Sequence, residues 1–251
     1  QLRSRRQRQP SRGFRGKFPL TYGFAPPSAV CEYCQMRLVS GISACILTAS
    51  ATLSIAAVPA QAADCPDVEL VFARGTSEPA GIGRVGQALS NQLAGSLGGR
   101  TLGVYAVNYP ASYDFLAAAD GAADATNRIA AIAESCPDTR IVLGGYSQGA
   151  AVVDMLLGIP PLGATVGEVG SAPPMPQSLA SQVAAVAVFG NPSTKFGNPV
   201  STALAPFAGK GIDLCADGDP ICSQGRNPFA HTSYEKTDMV GQAAGFVSSL
   251  L

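Results

Sequence analysis

Residues 144–150 read Gly-Gly-Tyr-Ser-Gln-Gly-Ala. The apolar run Arg140–Gly144 (RIVLG) leads straight into this stretch, and Gln148–Leu157 carries a helical pattern straight out of it. A buried strand that must become a helix within one residue leaves the corner few conformations. Glycines at 145 and 149 remove the two side chains that would collide as strand and helix close together. Ser147 is thereby expected at a sharp elbow, its hydroxyl exposed and a helix N-terminus beneath it to favour developing negative charge. The five-residue pattern is common by chance. The strand before it and the helix after it favour a nucleophile over an ordinary glycine-flanked turn.

A serine hydroxyl is a weak nucleophile unless a base takes its proton. The chain has one histidine, His231, so a serine–histidine pair permits no other choice. It falls in a polar, proline-containing loop, Asn227–His231, ahead of the last helix. Hydrolases of the α/β type place their three residues in the order serine, acid, histidine. The carboxylates between Ser147 and His231 are Asp154, Glu168, Asp213, Asp217 and Asp219. Asp217 and Asp219 stand out because they lie between Cys215 and Cys222, where a small bridged loop would pin a carboxylate against the imidazole. Physical chemistry alone does not separate these two.

Hydrophobic patterning supplies the frame around the elbow. Strands are expected at Val68–Ala73, Leu102–Val107, Arg140–Gly144, Val183–Phe189 and, shorter, Gly211–Leu214. Helices are expected at Gly83–Leu97, Ala117–Ser135, Gln148–Leu157 and Tyr234–Leu251, with a Pro/Gly-rich connection over 158–180. Strands alternating with helices imply one α/β domain, 63–251, built on a parallel sheet covered on both faces.

The first 62 residues read differently. Eight of the 17 basic residues lie there, with Glu32 as the sole acid. From residue 63 the count is 9 basic against 16 acidic, 9 − 16 = −7, a balance unsuited to binding nucleic acid. Residues 36–62 have the layout of a secretory signal peptide: Arg37, an apolar stretch, and Ala60-Gln61-Ala62. Their many serines and threonines dilute the segment as a membrane span, so no stable span is expected in the mature protein. Residues 1–35 are expected to be an unstructured or spurious extension; Cys31-x-x-Cys34 within them has no second pair to make a zinc site. Export favours disulfides among the four remaining cysteines, Cys65, Cys136, Cys215 and Cys222. Of three possible pairings, the short Cys215–Cys222 loop is the simplest, which leaves Cys65–Cys136.

Gly144–Ala150, Cys215-x-x-x-Asp219-x-x-Cys222 and the histidine that follows together resemble the cutinase family, and composition and leader resemble its mycobacterial members. The resemblance spans 63–251. It implies a three-layer α/β-hydrolase sandwich on a five-stranded parallel sheet with no large lid. It implies Ser147 as nucleophile, His231 as base and Asp219, rather than Asp217, as the acid. The oxyanion hole would use Gln148 N–H and Thr76, which sits in the family's Arg-Gly-Ser/Thr setting as Arg74-Gly75-Thr76. The same cysteine pairing is implied. So is a secreted, monomeric, cofactor-free and metal-free enzyme, extracellular or wall-associated, acting on carboxylic esters of short to medium acyl chains or on lipids. Tyr113, Phe115, Leu116, Pro228 and Phe229 are candidates to border the acyl site, or simply to cap the core.

Overall fold

The computed structural model describes residues 65–163 and 170–251. The extension 1–35, the signal segment 36–62 and Glu168 lie outside the described residues.

Five strands form one sheet: β1 (Val68–Ala73), β2 (Leu102–Ala106), β3 (Arg140–Tyr146), β4 (Val183–Phe189) and β5 (Gly211–Leu214). Their order is β2-β1-β3-β4-β5 and every pairing is parallel. Four longer helices accompany them: α1 (Gly83–Ser96), α2 (Ala118–Ser135), α3 (Gln148–Leu157) and α6 (Met239–Leu250). Two short ones are α4 (Pro192–Lys195) and α5 (Pro228–His231).

Parallel strands must bury both faces, which is why β1, β3 and β4 read as nearly continuous apolar runs. On one face Leu70, Phe72, Val142, Ala187 and Phe189 pack with Leu89 and Leu93 of α1 and Val240 and Val247 of α6. On the other, Val71, Leu143, Val186 and Val188 pack with Ile129 of α2 and Val152 and Leu156 of α3. The three layers expected from the alternation of elements are present. Among the polar side chains buried in them, Glu69 of β1 receives Arg128 of α2 through two bonds, Nε to Oε1 at 2.6 Å and Nη2 to Oε2 at 2.8 Å. Because the chain runs from β1 outward to β2 and returns to β3 on the other side, a crevice opens at the carboxyl ends of β1 and β3.

Three expectations are corrected. β3 runs two residues further, to Tyr146, so that the strand reaches the elbow itself. The last helix begins at Met239 rather than Tyr234, because Tyr234–Lys236 close a separate 3₁₀ turn. The segment before His231 is helical, not a loop. In α5, as in α4, an asparagine caps a helix whose first residue is proline: Asn227 Oδ1 accepts from Phe229 N at 3.1 Å and Asn191 Oδ1 from Ser193 N at 3.2 Å. Both disulfides are formed, Cys65–Cys136 and Cys215–Cys222. No helix among the described residues is long and apolar enough to cross a membrane.

Candidate active site

Ser147 joins β3 to α3 with φ 54° and ψ −116°, a backbone region that side chains other than glycine rarely enter. Its neighbours make the strain tolerable. A Cβ on Gly145 would overlap the carbonyl of Gly149, and one on Gly149 would overlap the carbonyl of Ala73. Strand, turn and helix therefore close to backbone contact, and the serine stands at the top of the sheet.

Two other carboxyl-end loops reach the same place. The one after β1 brings Thr76, and Arg74 secures it. The Arg74 guanidinium donates to the carbonyls of Glu78 (3.1 Å), Tyr109 (2.7 Å) and Pro110 (3.2 Å). Glu78 completes the brace by accepting from Gly75 N at 2.8 Å and Arg84 N at 2.9 Å. Thr76 Oγ1 donates to the side-chain Oε1 of Gln148 at 3.3 Å. Gln148 opens α3, so its N–H belongs to the first turn, whose donors have no partner within the helix.

The second loop follows β5 and is closed by Cys215–Cys222. It carries Asp219, which has no exposed surface. His231, the last residue of α5, donates or accepts at both ring nitrogens: Nε2 lies 2.8 Å from Ser147 Oγ and Nδ1 2.8 Å from Asp219 Oδ2. Asp219 Oδ1 accepts from Ile221 N at 2.7 Å, and Oδ2 also accepts from the Tyr234 hydroxyl at 2.6 Å. Burial pushes this carboxyl up, but the donors His231, Tyr234 and Ile221 N–H outweigh it and hold it below its ordinary value. It is an anion wherever the imidazole is to be polarised.

The competing carboxylates sit elsewhere. Asp217 is exposed. Asp213 accepts from Asn191 Nδ2, Thr194 Oγ1, Val200 N and Ser201 N, which ties β5 to the segment after β4. Asp154 is fully buried in α3 against Asn191 Nδ2 at 3.0 Å.

Several contributors were invisible along the chain. Tyr146, the variable residue of the elbow motif, donates its hydroxyl to the His231 carbonyl at 2.6 Å and lays its ring 5.2 Å from the imidazole. Gly190, φ 56°, follows β4. A Cβ there would lie 2.8 Å from His231 Cε1 and 3.2 Å from Asp219 Oδ2, so only glycine lets the pair approach. A glycine and an asparagine ahead of Pro192 were the available signal, and they read only as a turn.

A cleft of about 500 Å³ opens over Ser147 and His231. Tyr113, Phe115, Leu162 and Ile221 give it apolar walls, and Thr76 and Gln148 line it beside the serine. Pro228 and Phe229 are not in its walls; Thr232 occupies that side, and Phe229 stands 77% exposed on α5. Leu116 is likewise outside the cleft and exposed. Among the described residues no cluster of histidine, cysteine or acidic side chains could hold a metal ion.

A parallel five-stranded sheet with a serine on a strained elbow at its carboxyl edge defines an α/β-hydrolase. The cutinase family model matches residues 64–251, and the chain belongs to the cutinase family. It is a carboxylic ester hydrolase. It is 47% identical over 213 residues to the phospholipase Culp4 of Mycobacterium tuberculosis, covering 85% of this chain and 91% of that one. It is 44% identical to the carboxylesterase Culp1 of the same species, over 80% and 91% of the two chains. Among solved structures it is similar to the catalytic core of a Trichoderma reesei acetyl xylan esterase, with TM-score 0.63, 28% identity and 75% and 100% coverage. A Trichoderma reesei cutinase bound to a phosphonate inhibitor matches with TM-score 0.56, 35% identity and 74% and 77% coverage.

Proposed function

We propose that this protein is a secreted, monomeric serine esterase that hydrolyses carboxylic esters of short to medium acyl chain through Ser147, His231 and Asp219. The observation that carries the reading is one imidazole bonded at 2.8 Å on each side, to a serine on a strained elbow and to a buried carboxylate. Ser147 Oγ attacks the ester carbonyl while His231 Nε2 takes its proton. Asp219 keeps the Nδ1 proton facing it and stabilises the imidazolium that forms. Negative charge on the carbonyl oxygen falls to Gln148 N–H and the Thr76 hydroxyl. Thr76 is free to rotate from Gln148 Oε1 onto the oxyanion; losing one such donor costs about 10²–10³ in rate. His231 then protonates the leaving alcohol, and water, activated the same way, releases the acid from Ser147. Because the imidazole must be neutral to act, activity falls as acid protonates it.

Residues 36–62 serve as the export signal in this reading, with 63–251 as the working domain. Two disulfides support an oxidising destination. The relative named as a phospholipase favours a second substrate class for the same three residues. Hydrolysis of p-nitrophenyl esters of rising acyl length, run beside phospholipid vesicles, decides between them. A third reading, a non-catalytic secreted antigen of this fold, has no use for the three aligned groups. An active-site phosphonate, as bound in the similar Trichoderma cutinase, is expected to label the wild-type protein at Ser147 and not Ser147→Ala. A folded wild type that resists labelling refutes the enzyme mechanism.

A further inference from the structure

Proton accounting around one buried phenol exposes a further participant. The Tyr234 side chain has no exposed surface. Its hydroxyl meets three groups: Ala216 N at 3.0 Å, Cys222 Sγ at 3.4 Å and Asp219 Oδ2 at 2.6 Å. The amide can only donate, and the bridged sulfur has no proton to give. The phenol's single proton is therefore committed to the carboxylate, and the direction of the bond is fixed by its neighbours. The oxygen that receives it is the same one that faces His231 Nδ1.

We propose that Tyr234 is a positioning residue: its hydroxyl locks the Asp219 carboxylate to the disulfide loop and shares the charge of the oxygen facing His231, which limits how tightly that oxygen holds the imidazolium. The inference rests on the serine–histidine–aspartate reading above. Tyr234 lies three residues after His231, in the turn following α5, so one short segment delivers both the imidazole and the second donor. Its ring is wedged at 5.8 Å from Tyr146, 5.9 Å from Phe189 and 6.2 Å from His231, which leaves the hydroxyl one place to go. Burial, and then the bond to Asp219, push the phenol well above its ordinary value, so it remains a donor across any working pH. A carboxylate that gave all its charge to one imidazolium would stabilise the resting protonated base. A second donor shifts that balance toward neutral histidine, the form that can take the proton of Ser147. The other titratable groups on this side are Tyr146 at the end of β3, Glu78 after β1, Arg84 in α1 and Glu235 beside Tyr234.

The experiment is an imidazole NMR titration, which reads a single residue because His231 is the only histidine. Tyr234→Phe keeps the ring. Its His231 midpoint is expected to rise by about half a pH unit or more, and kcat to fall roughly tenfold with KM little changed, the scale of one lost hydrogen bond to a charge. The pH–rate profile should move to higher pH by the same amount. A midpoint equal to wild type overturns the proposal, including the case where Tyr234→Phe merely lowers Tm and activity together. Should Tyr234→Phe not fold, 3-fluorotyrosine at 234 keeps the ring and hydroxyl and makes a stronger donor. The midpoint then is expected to fall, and an unchanged one overturns the role. Asp219→Asn is measured in parallel. If it retains kcat, the underlying triad reading fails. If it is crippled while the Tyr234 variants titrate like wild type, only the Tyr234 proposal fails.

Discussion

At the scale of the residue, the decisive contrast is between two aspartates two positions apart in one small loop. Asp219 is fully buried and receives three donors; Asp217 is exposed. Asp219→Asn keeps the shape of the side chain but turns an acceptor edge into a donor facing Nδ1, which favours the wrong tautomer. We predict a kcat loss on the order of 10⁴. Asp217→Asn is expected to stay within a factor of two or so of wild type, as befits a solvated side chain. Steady-state rates of the two variants on one p-nitrophenyl ester check this, and the reverse ranking would reassign the acid. Residue chemistry alone stopped at this pair because both lie between the same cysteines, and the family resemblance was what favoured Asp219. Their difference is which of them the fold takes out of water.

At the scale of the element, the elbow and its supports explain why the site is rigid. α3 carries the serine at its N-terminus and, two turns on, the buried Asp154, bonded to Asn191 where β4 ends. Burial pushes the Asp154 carboxyl well above its ordinary value; the bond from Asn191 opposes this only in part, and Asp213 nearby adds to it. Its folded form thus favours the proton that the unfolded chain has already lost at mild pH. Stability from this group is fullest in acid, below the carboxyl's ordinary value, and declines as pH rises from there toward the raised folded value. Asp154→Asn keeps an acceptor for Asn191 and has no proton to lose. We predict that it raises Tm at neutral pH and loses that advantage on acidification, as scanning calorimetry at several pH values would show. A variant less stable at neutral pH refutes the assignment. The helix that carries Ser147 and the strand before it were plain in the pattern of apolar residues. The short helices α4 and α5 were not, since four residues cannot display a period, although Asn-Pro at each start was a cap signal.

At the scale of the whole molecule, one sheet holds loops from β1, β3, β4 and β5 over the crevice, with one apolar layer on each side. The Glu69–Arg128 pair, its carboxylate buried and its guanidinium partly exposed, joins the second-outermost strand to α2. Its Arg128 guanidinium is also 4.9 Å from the Tyr105 ring of the edge strand. Arg128→Met would strand a buried carboxylate. We predict a loss of about 3 kcal/mol in unfolding free energy, less than for a fully enclosed pair because Arg128 is partly exposed. Urea denaturation of the variant, and of Glu69→Gln with Arg128→Met together, measures it. The double change should recover much of the loss, and no recovery means that packing rather than charge is responsible.

The chain by itself determined the strand–helix alternation, the five strands, the elbow and the lone histidine, because each depends on residues adjacent in sequence or on there being no alternative. It also narrowed the candidate acid to one loop, since cysteine spacing marks a loop without orienting what it carries. Only the tertiary structure decided that Asp219 faces inward, that Gly190 leaves room for the imidazole, and that the rings of Tyr146 and Tyr234 come to 5.2 and 6.2 Å from it. Those choices depend on distances between segments up to 85 residues apart, and neither periodicity nor composition encodes a distance across the fold.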